Sequence, residues 1–362
     1  MDERYQAFMG LAPKRIPHWE HWSCPDAETY LTGIDYYEHP KLCRQRLHEL
    51  YPCLKLPVPE DDTPIPRPKL DGVTESSTLK DGGHKIRWGT GESWIWNWGI
   101  RFDTLDEALA FSPLENADFT NIPVVESKDY SDEEKLYQTY RAYYPAEWRE
   151  KAPEGSSAAS YFYNTMFMWP LLTFGWERFL EMCLDDRFDR IMAEFAEINR
   201  RVFRVFARLP VNFVICHDDI VTARGPVCSP AWMRRHIFPR YEEFWGIVKA
   251  AGKEVIFMAD GCMDAYADDV FACGARGIIT EPYTDFKTIA RKHENCFLAG
   301  EGDNRILTRN DPDEIRAMVV SMVETAKITG GYMMCIGNHI PWNVTPEGIK
   351  RYLDLSAELA HR

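Results

Sequence analysis

The chain has 362 residues, enough for one large domain or two ordinary ones. With 42 Lys and Arg against 56 Asp and Glu its formal charge is -14, which removes the cationic footprint that nucleic-acid binding demands. Hydrophobic residues at 45% and charged residues at 27% describe a folded globular protein, and no apolar run reaches the roughly 18 residues of a membrane span.

The opening, MDERYQAFMGLAPKR, lacks the basic-then-apolar order of a secretory signal. Ten cysteines are scattered without a CxxC pair, and most read as buried thiols in a reducing compartment, so a cytoplasmic location is expected.

In chain order, IPHWEHW at 16–22 reads as a first strand. A proline-rich polar passage, 51–83, is expected to be a surface excursion with little regular structure. KIRWGTGESWIWNWG at 85–99 alternates as a hairpin does, with Gly89 and Gly91 near its turn. Further units follow as PVVESKD at 123–129, a helix over 132–144, the strand AASYFYNTM at 158–166 and a helix over 169–184. From about Phe203 the alternation of short apolar strand and amphipathic helix becomes regular, the signature of a parallel sheet with helical crossovers.

A helix over 186–208 leads through Pro210 into VNFVICHDD at 211–219; a helix over 230–251 feeds EVIFMADG at 254–261. Strands at 276–282, 295–303 and 331–337 are separated by helices over 285–292 and 311–328, and Thr345, Pro346 and Glu347 open the last helix with cap, proline and acidic first turn. No GxGxxG or GxxxxGK[ST] follows any strand, which favours a barrel over a nucleotide-binding open sheet. The reading is α/β, a (β/α)8 TIM barrel with an N-terminal hairpin and loop elaboration, spanning 1–362 as one domain.

In such a barrel the residues ending the strands are the catalytic candidates. Here they are His18, Glu20 and His21; Asn164 after YFYN; His217, Asp218 and Asp219; Asp260; Glu281; Glu301 and Asp303; and His339. Each acid taken alone reads equally well as a loop cap. Several carboxylates converging in one cup, however, repel one another unless a cation, a proton or a basic ligand offsets them.

A zinc ion is one such offset, with Glu281, Glu301 and His339 as metal ligands and Asp260 as a fourth ligand or orienting group. Without metal, Asp218 and Asp260 hold NH groups of a ligand while His339 moves a proton. By the two-residue period only one of His217 and Asp218 faces the interior; Asp218 is placed there first, His217 being the alternative. Trp19, with Asn164 and the aromatic residues of 161–169, is a candidate wall for a planar or methylated ligand.

These blocks resemble the uroporphyrinogen decarboxylase superfamily. The resemblance rests on AFMGLAPKRIPHWEHW at the start, WNWG at 96–99, FGWERFLEMCLDD at 174–186, the block HDDIVTARGPVCSPAWMRRHIFPRYEEFWGIVKAAGKEVIFMADG at 217–261 and GGYMMCIGNHIPWNVTPEGIKRYLD at 330–354. The family holds cofactor-free porphyrinogen decarboxylases and corrinoid-linked, zinc-using methyltransferases. Its decarboxylases carry an arginine-rich RQAGR loop after the first strand, where this chain has HWEHWSCPDAETY. Its thiol-methylating branch carries HxCG where this chain has MADG, and a cysteine where His339 stands.

The resemblance is therefore closer to members that remove methyl groups from small methoxy or methylated amine compounds. It implies a methyltransferase passing methyl to a corrinoid on a separate partner protein, with His339 and Glu301 as metal ligands, Glu281 next and Asp260 orienting the substrate. Uroporphyrinogen decarboxylase-type decarboxylation, or another barrel lyase reaction, is the alternative.

Overall fold

A computed structural model of the protein describes residues 2–22, 24–67, 76–78, 84–88, 91–95, 102–120, 128–144, 158–162, 165–341 and 344–362. Thirteen strands occur among them: β1 (His18–Trp19), β2 (Leu54–Lys55), β3 (Ser76–Thr78), β4 (His84–Trp88), β5 (Gly91–Ile95), β6 (Ala158–Phe162), β7 (Phe213–His217), β8 (Val221–Thr222), β9 (Gly225–Pro226), β10 (Glu254–Met258), β11 (Gly277–Ile279), β12 (Phe297–Ala299) and β13 (Gly331–Met333). Six of them form one parallel sheet in the order β13-β12-β11-β10-β7-β6.

The ring extends past β13. His18 and Trp22 make parallel bridges to Met334 and Ile340, and β1 pairs in parallel with β2 through His18 and Leu54. Seven of the eight neighbour pairings of an eight-strand ring are thus present; among the described residues none joins β2 to β6. The architecture is the α/β barrel that the alternation predicts.

Two apolar layers hold it. The larger lies between sheet and helices, fed by stripes such as Ile191, Phe195, Ile198, Val202 and Val205 of the helix Phe188–Arg208; each such side chain contributes about 2 kcal/mol by leaving water. The smaller fills the ring: Phe213, Ile256, Phe297, Ala299, Met333 and Cys335 meet Ala7 and Phe8. The helix Glu3–Phe8 therefore plugs the end of the ring where the strands begin, with the Phe8 ring 4.9 Å from Phe213 and 4.7 Å from Phe297. Only the opposite end, where the strands finish, is left for polar chemistry.

The sequence expectations are met in kind more than in extent. The β4–β5 hairpin forms, and β3 adds a third antiparallel strand to it. Among its described residues the passage over 51–83 holds the short β2 and β3, in keeping with the little regular structure expected there, and 68–75 and 79–83 lie outside the described residues. The helix expected over 169–184 breaks at Gly175, whose φ of 78° separates Met168–Phe174 from Trp176–Met182. The helix expected over 230–251 divides into Pro230–His236 and Phe238–Ala250, because Pro239 has no N–H to continue the ladder. Asp311 and Thr345 cap the helices Pro312–Ile328 and Pro346–Leu359 as expected. The strand candidate at 123–129 lies mostly outside the described residues.

Candidate active site at the open end of the ring

Interior residues alternate along each strand, and the alternation chooses the cup. In β7, Phe213 and Ile215 face the ring interior, so His217 does too, and Asp219 follows two residues on. In β10 the interior position Ile256 leads by the same count to Asp260, and in β11 Ile279 leads to Glu281. The structure brings His217, Asp219 and Asp260 together, one ligand atom of each lying within 4.8 Å of the others. His217 Nε2 is 3.0 Å from Asp219 Oδ1 and 4.0 Å from Asp260 Oδ1, while Asp219 Oδ1 also accepts from the Asp260 backbone N–H at 2.8 Å. Gly261 makes this approach possible: its φ is 117°, and a Cβ there would come within 2.6 Å of the Thr222 backbone.

The remaining rim belongs to the last strand and the first. Asn338, in the left-handed region at φ 65°, donates from Nδ2 to Asp260 Oδ2 at 3.1 Å. Its Oδ1 must then accept from His339 Nδ1–H, at 2.7 Å, which leaves the lone pair of the neutral ring on Nε2. The His339 ring lies 5.5 Å from that of His21, and His21 is stacked 6.4 Å from Trp19. Trp19 packs against the apolar plug of the ring, so it forms part of the wall beneath the histidines. Glu281 joins the same rim through contacts to the Gly261 backbone and to Asn338.

Electrostatics mark this end as short of positive charge. Burial, then the charges of Asp219 and Glu281, push the Asp260 carboxyl up to about 7, against the pull of His217. Burial alone would lower His217, but the charges of Asp219, Asp260 and Asp218 outweigh it and hold the imidazole above its ordinary value. Burial, then Asp219, also raises Glu281. His339 is lowered by burial and by His21, which favours its neutral form.

Five sequence candidates stand elsewhere: His18 and Glu20 are buried against the Tyr352 hydroxyl, Asp303 caps the helix Asn304–Arg309, and Asp218 and Glu301 turn away from the hollow. Asp218 faces the helices, not the interior, and the order of preference between it and His217 is reversed. Its carboxylate, fully buried, accepts from the backbone N–H groups of Phe167 and Met168 at 3.0 and 2.7 Å and from the Tyr241 hydroxyl at 2.6 Å. Burial against these bonds leaves its carboxyl at about 6.

Glu301 would face inward by alternation after Phe297 and Ala299, but Gly300, at φ 101°, inverts the sequence. A Cβ at Gly300 would sit 1.8 Å from the Thr280 carbonyl, so only glycine makes this turn. The Glu301 carboxylate accepts instead from Ser321, Thr325 and Tyr332 at 3.1, 3.1 and 2.8 Å. It lines a separate cavity of about 360 Å³ with Phe286, Met318 and Ser321.

Asn164 lies outside the described residues. Asp219 and Asn338 were not singled out for a role by sequence reasoning. Spacing of two from His217 was a signal for the first; nothing in the sequence marked the second.

A model of the uroporphyrinogen decarboxylase (URO-D) family matches residues 173–359, just over half of the chain and every strand from β7 to β13. The chain belongs to this family. A solved methyltransferase from Methanosarcina mazei is similar over 98% of this chain and 97% of its own, at 14% identity and a TM-score of 0.56, a likeness of fold. A xylose isomerase-like TIM barrel protein from Mycobacterium smegmatis, in complex with magnesium, aligns over 56% of this chain and 74% of its own at 12% identity, with a TM-score of only 0.29. No curated protein matches the chain significantly. Among the described residues, no helix is long and apolar enough to cross a membrane.

Proposed function

We propose that this URO-D family member is a methyltransferase-type enzyme, removing a methyl group from a small O- or N-methylated compound and passing it to a corrinoid carried by a separate protein. The observation that carries the reading is the meeting of His217, Asp219 and Asp260 in an acidic hollow at the open end of the ring. One imidazole nitrogen and two carboxylate oxygens are a donor set that fits zinc with a position left open. A cation also answers the electrostatic imbalance that holds Asp260 near 7. Zinc bound there would act as a Lewis acid on the heteroatom of the methyl donor.

The chain's own groups would do the rest. The carboxylates repel acidic ligands, attract cationic ones and admit neutral ones, the reverse of what a polycarboxylate tetrapyrrole requires. Asn338 fixes the orientation of both Asp260 and His339. His339, neutral with its free lone pair on Nε2, would accept a proton at the rim. Glu281 adds a further carboxylate to the set, and Trp19 with His21 supplies a flat wall for the methylated ligand. The corrinoid protein would dock over the open end. The whole chain acts as one domain in this account, and its place is the cytoplasm.

The test is direct. Zinc-loaded protein is mixed with free cob(I)alamin, standing in for the carrier, and a panel of methylated amines and methoxyarenes, while visible absorbance follows methylcobalamin. The proposal expects methylcobalamin with at least one donor, and its loss in His217→Ala. Carbon dioxide release from a porphyrinogen, with no methyl transfer from any donor, would assign the decarboxylase reaction instead.

A further inference from the structure

The hollow depends on a turn that has no side chain of its own to hold it. Asp260 follows β10 and Gly261 comes next, so the aim of the Asp260 carboxylate is set by how firmly the peptide groups around Gly261 are gripped. On the β7 side the grip comes from Asp219, whose Oδ1 accepts from Asp260 N–H at 2.8 Å, and from the Thr222 carbonyl, which accepts from Cys262 N–H at 2.9 Å. On the β11 side it comes from two threonines. Thr280 Oγ1 donates to the Gly261 carbonyl at 2.9 Å, and Thr284 Oγ1 donates to the same oxygen at 3.2 Å. Thr284 Oγ1 also accepts from Met263 N–H at 2.9 Å.

A hydroxyl carries one proton and two lone pairs, so Thr284 makes both of its bonds at once and spans the turn from residue 261 to residue 263. Both threonines are buried, where water is a poor substitute for a lost bond. Their own segment is anchored: Thr280 N–H bonds the Ala299 carbonyl at 3.0 Å, and Thr284 N–H closes on the Glu281 carbonyl at 3.1 Å.

The load on this turn is electrostatic. Glu281 stands between the two threonines in the chain, and its charge, with that of Asp219, bears on Asp260. Like charges push the ends of β10 and β11 apart when no cation lies between them, and the threonine bonds tie those same two ends together.

We propose that Thr284 and Thr280 form a clamp that positions Asp260, holding its turn in the cation-binding geometry before the ion arrives. The inference rests on the reading of His217, Asp219 and Asp260 as metal ligands. The Thr284 hydroxyl is taken up by two backbone groups, so it acts through the turn and not on the ion. Thr284→Val keeps the side-chain shape but leaves the Met263 N–H without its acceptor and the Gly261 carbonyl with Thr280 alone. Thr280→Val removes one donor of two and is the milder change.

The experiment has two arms, both on the full-length chain. In the first, zinc is titrated calorimetrically into metal-free protein. Thr284→Val should bind at least about tenfold more weakly, Thr280→Val about threefold more weakly, and Thr284→Ser, which restores the hydroxyl, within about twofold of the unmutated chain. Glu301→Gln, a change made outside the hollow, should bind zinc normally and so separates positioning from mere loss of stability. In the second arm, amide hydrogen exchange over residues 260–263 is followed by mass spectrometry without metal. It should quicken about tenfold in Thr284→Val, about threefold in Thr280→Val, and return to normal in Thr284→Ser.

Zinc bound by Thr284→Val as tightly as by the unmutated chain, or exchange left unchanged, would overturn the proposal. Where Thr284→Val folds poorly, Thr280→Val decides by the same two readings, and no change in either overturns it. An unmutated chain that binds no zinc would remove the metal reading by itself, and the exchange arm would still decide whether the threonines hold the turn.

Discussion

Asp218 and Asp260 end neighbouring strands, and burial raises both carboxyls, yet their surroundings differ in kind. Asp218 is met by two backbone N–H groups and a tyrosine hydroxyl; Asp260 is met by the charges of Asp219 and Glu281. Glu301, ringed by three hydroxyls, belongs with Asp218. A buried acid supplied with neutral donors serves the fold, whereas one pressed against other acids stores an unmet demand for positive charge. Water moderates that demand at Asp260, whose side chain is 37% exposed.

Three substitutions sharpen the contrast. The largest effect is expected at Asp218: replacing it with Ala strands the N–H groups of Phe167 and Met168 and the Tyr241 hydroxyl, which should cost about 3 kcal/mol in urea unfolding. A loss under about 1 kcal/mol would show that water or a shifted backbone replaces the carboxylate. Glu301→Gln keeps one acceptor oxygen and should cost only about 1 kcal/mol, with zinc content unchanged. A marked loss of zinc in that variant would return Glu301 to the ligand set.

The effect expected at Asp260 depends on pH. Its folded carboxyl is raised, so its contribution to stability is complete below the unfolded value of about 3.9 and is lost as pH climbs through about 7. The raised His217 adds a loss in the same direction, beginning above its unfolded value of about 6.5. Metal-free protein should therefore lose stability between pH 4 and 7 relative to Asp260→Asn, as read by thermal melts. Parallel pH profiles for the two would place the titrating group elsewhere.

Much of the fold was legible because helix caps, prolines and apolar periods are local signals. Asp311 and Thr345 start helices where their sequence context says they must. The site was legible as a set of strand ends but not as a list of ligands. Parallel strands are apolar on both faces, so Val214 and Cys216 looked as interior as Phe213 and Ile215, and the pattern gave no reason to choose His217 over Asp218. At Glu301 its place at a strand end misled, and counting by two would not have helped, because Gly300 turns the chain once before the acid is reached. Asn338 escaped notice because its role is a bridge between Asp260 and His339, 78 and one residues away, which no local spacing encodes.

The most direct test is calorimetric titration of zinc into the metal-free protein at pH 6, 7 and 8. Ligands that must first shed protons from His217 and Asp260 should bind one ion per chain, with affinity rising by up to about a hundredfold per pH unit below about 7, the two-proton limit, and falling at least tenfold in both His217→Ala and Asp219→Asn. Binding indifferent to pH, or undiminished in those two variants, would contradict the assignment of the site.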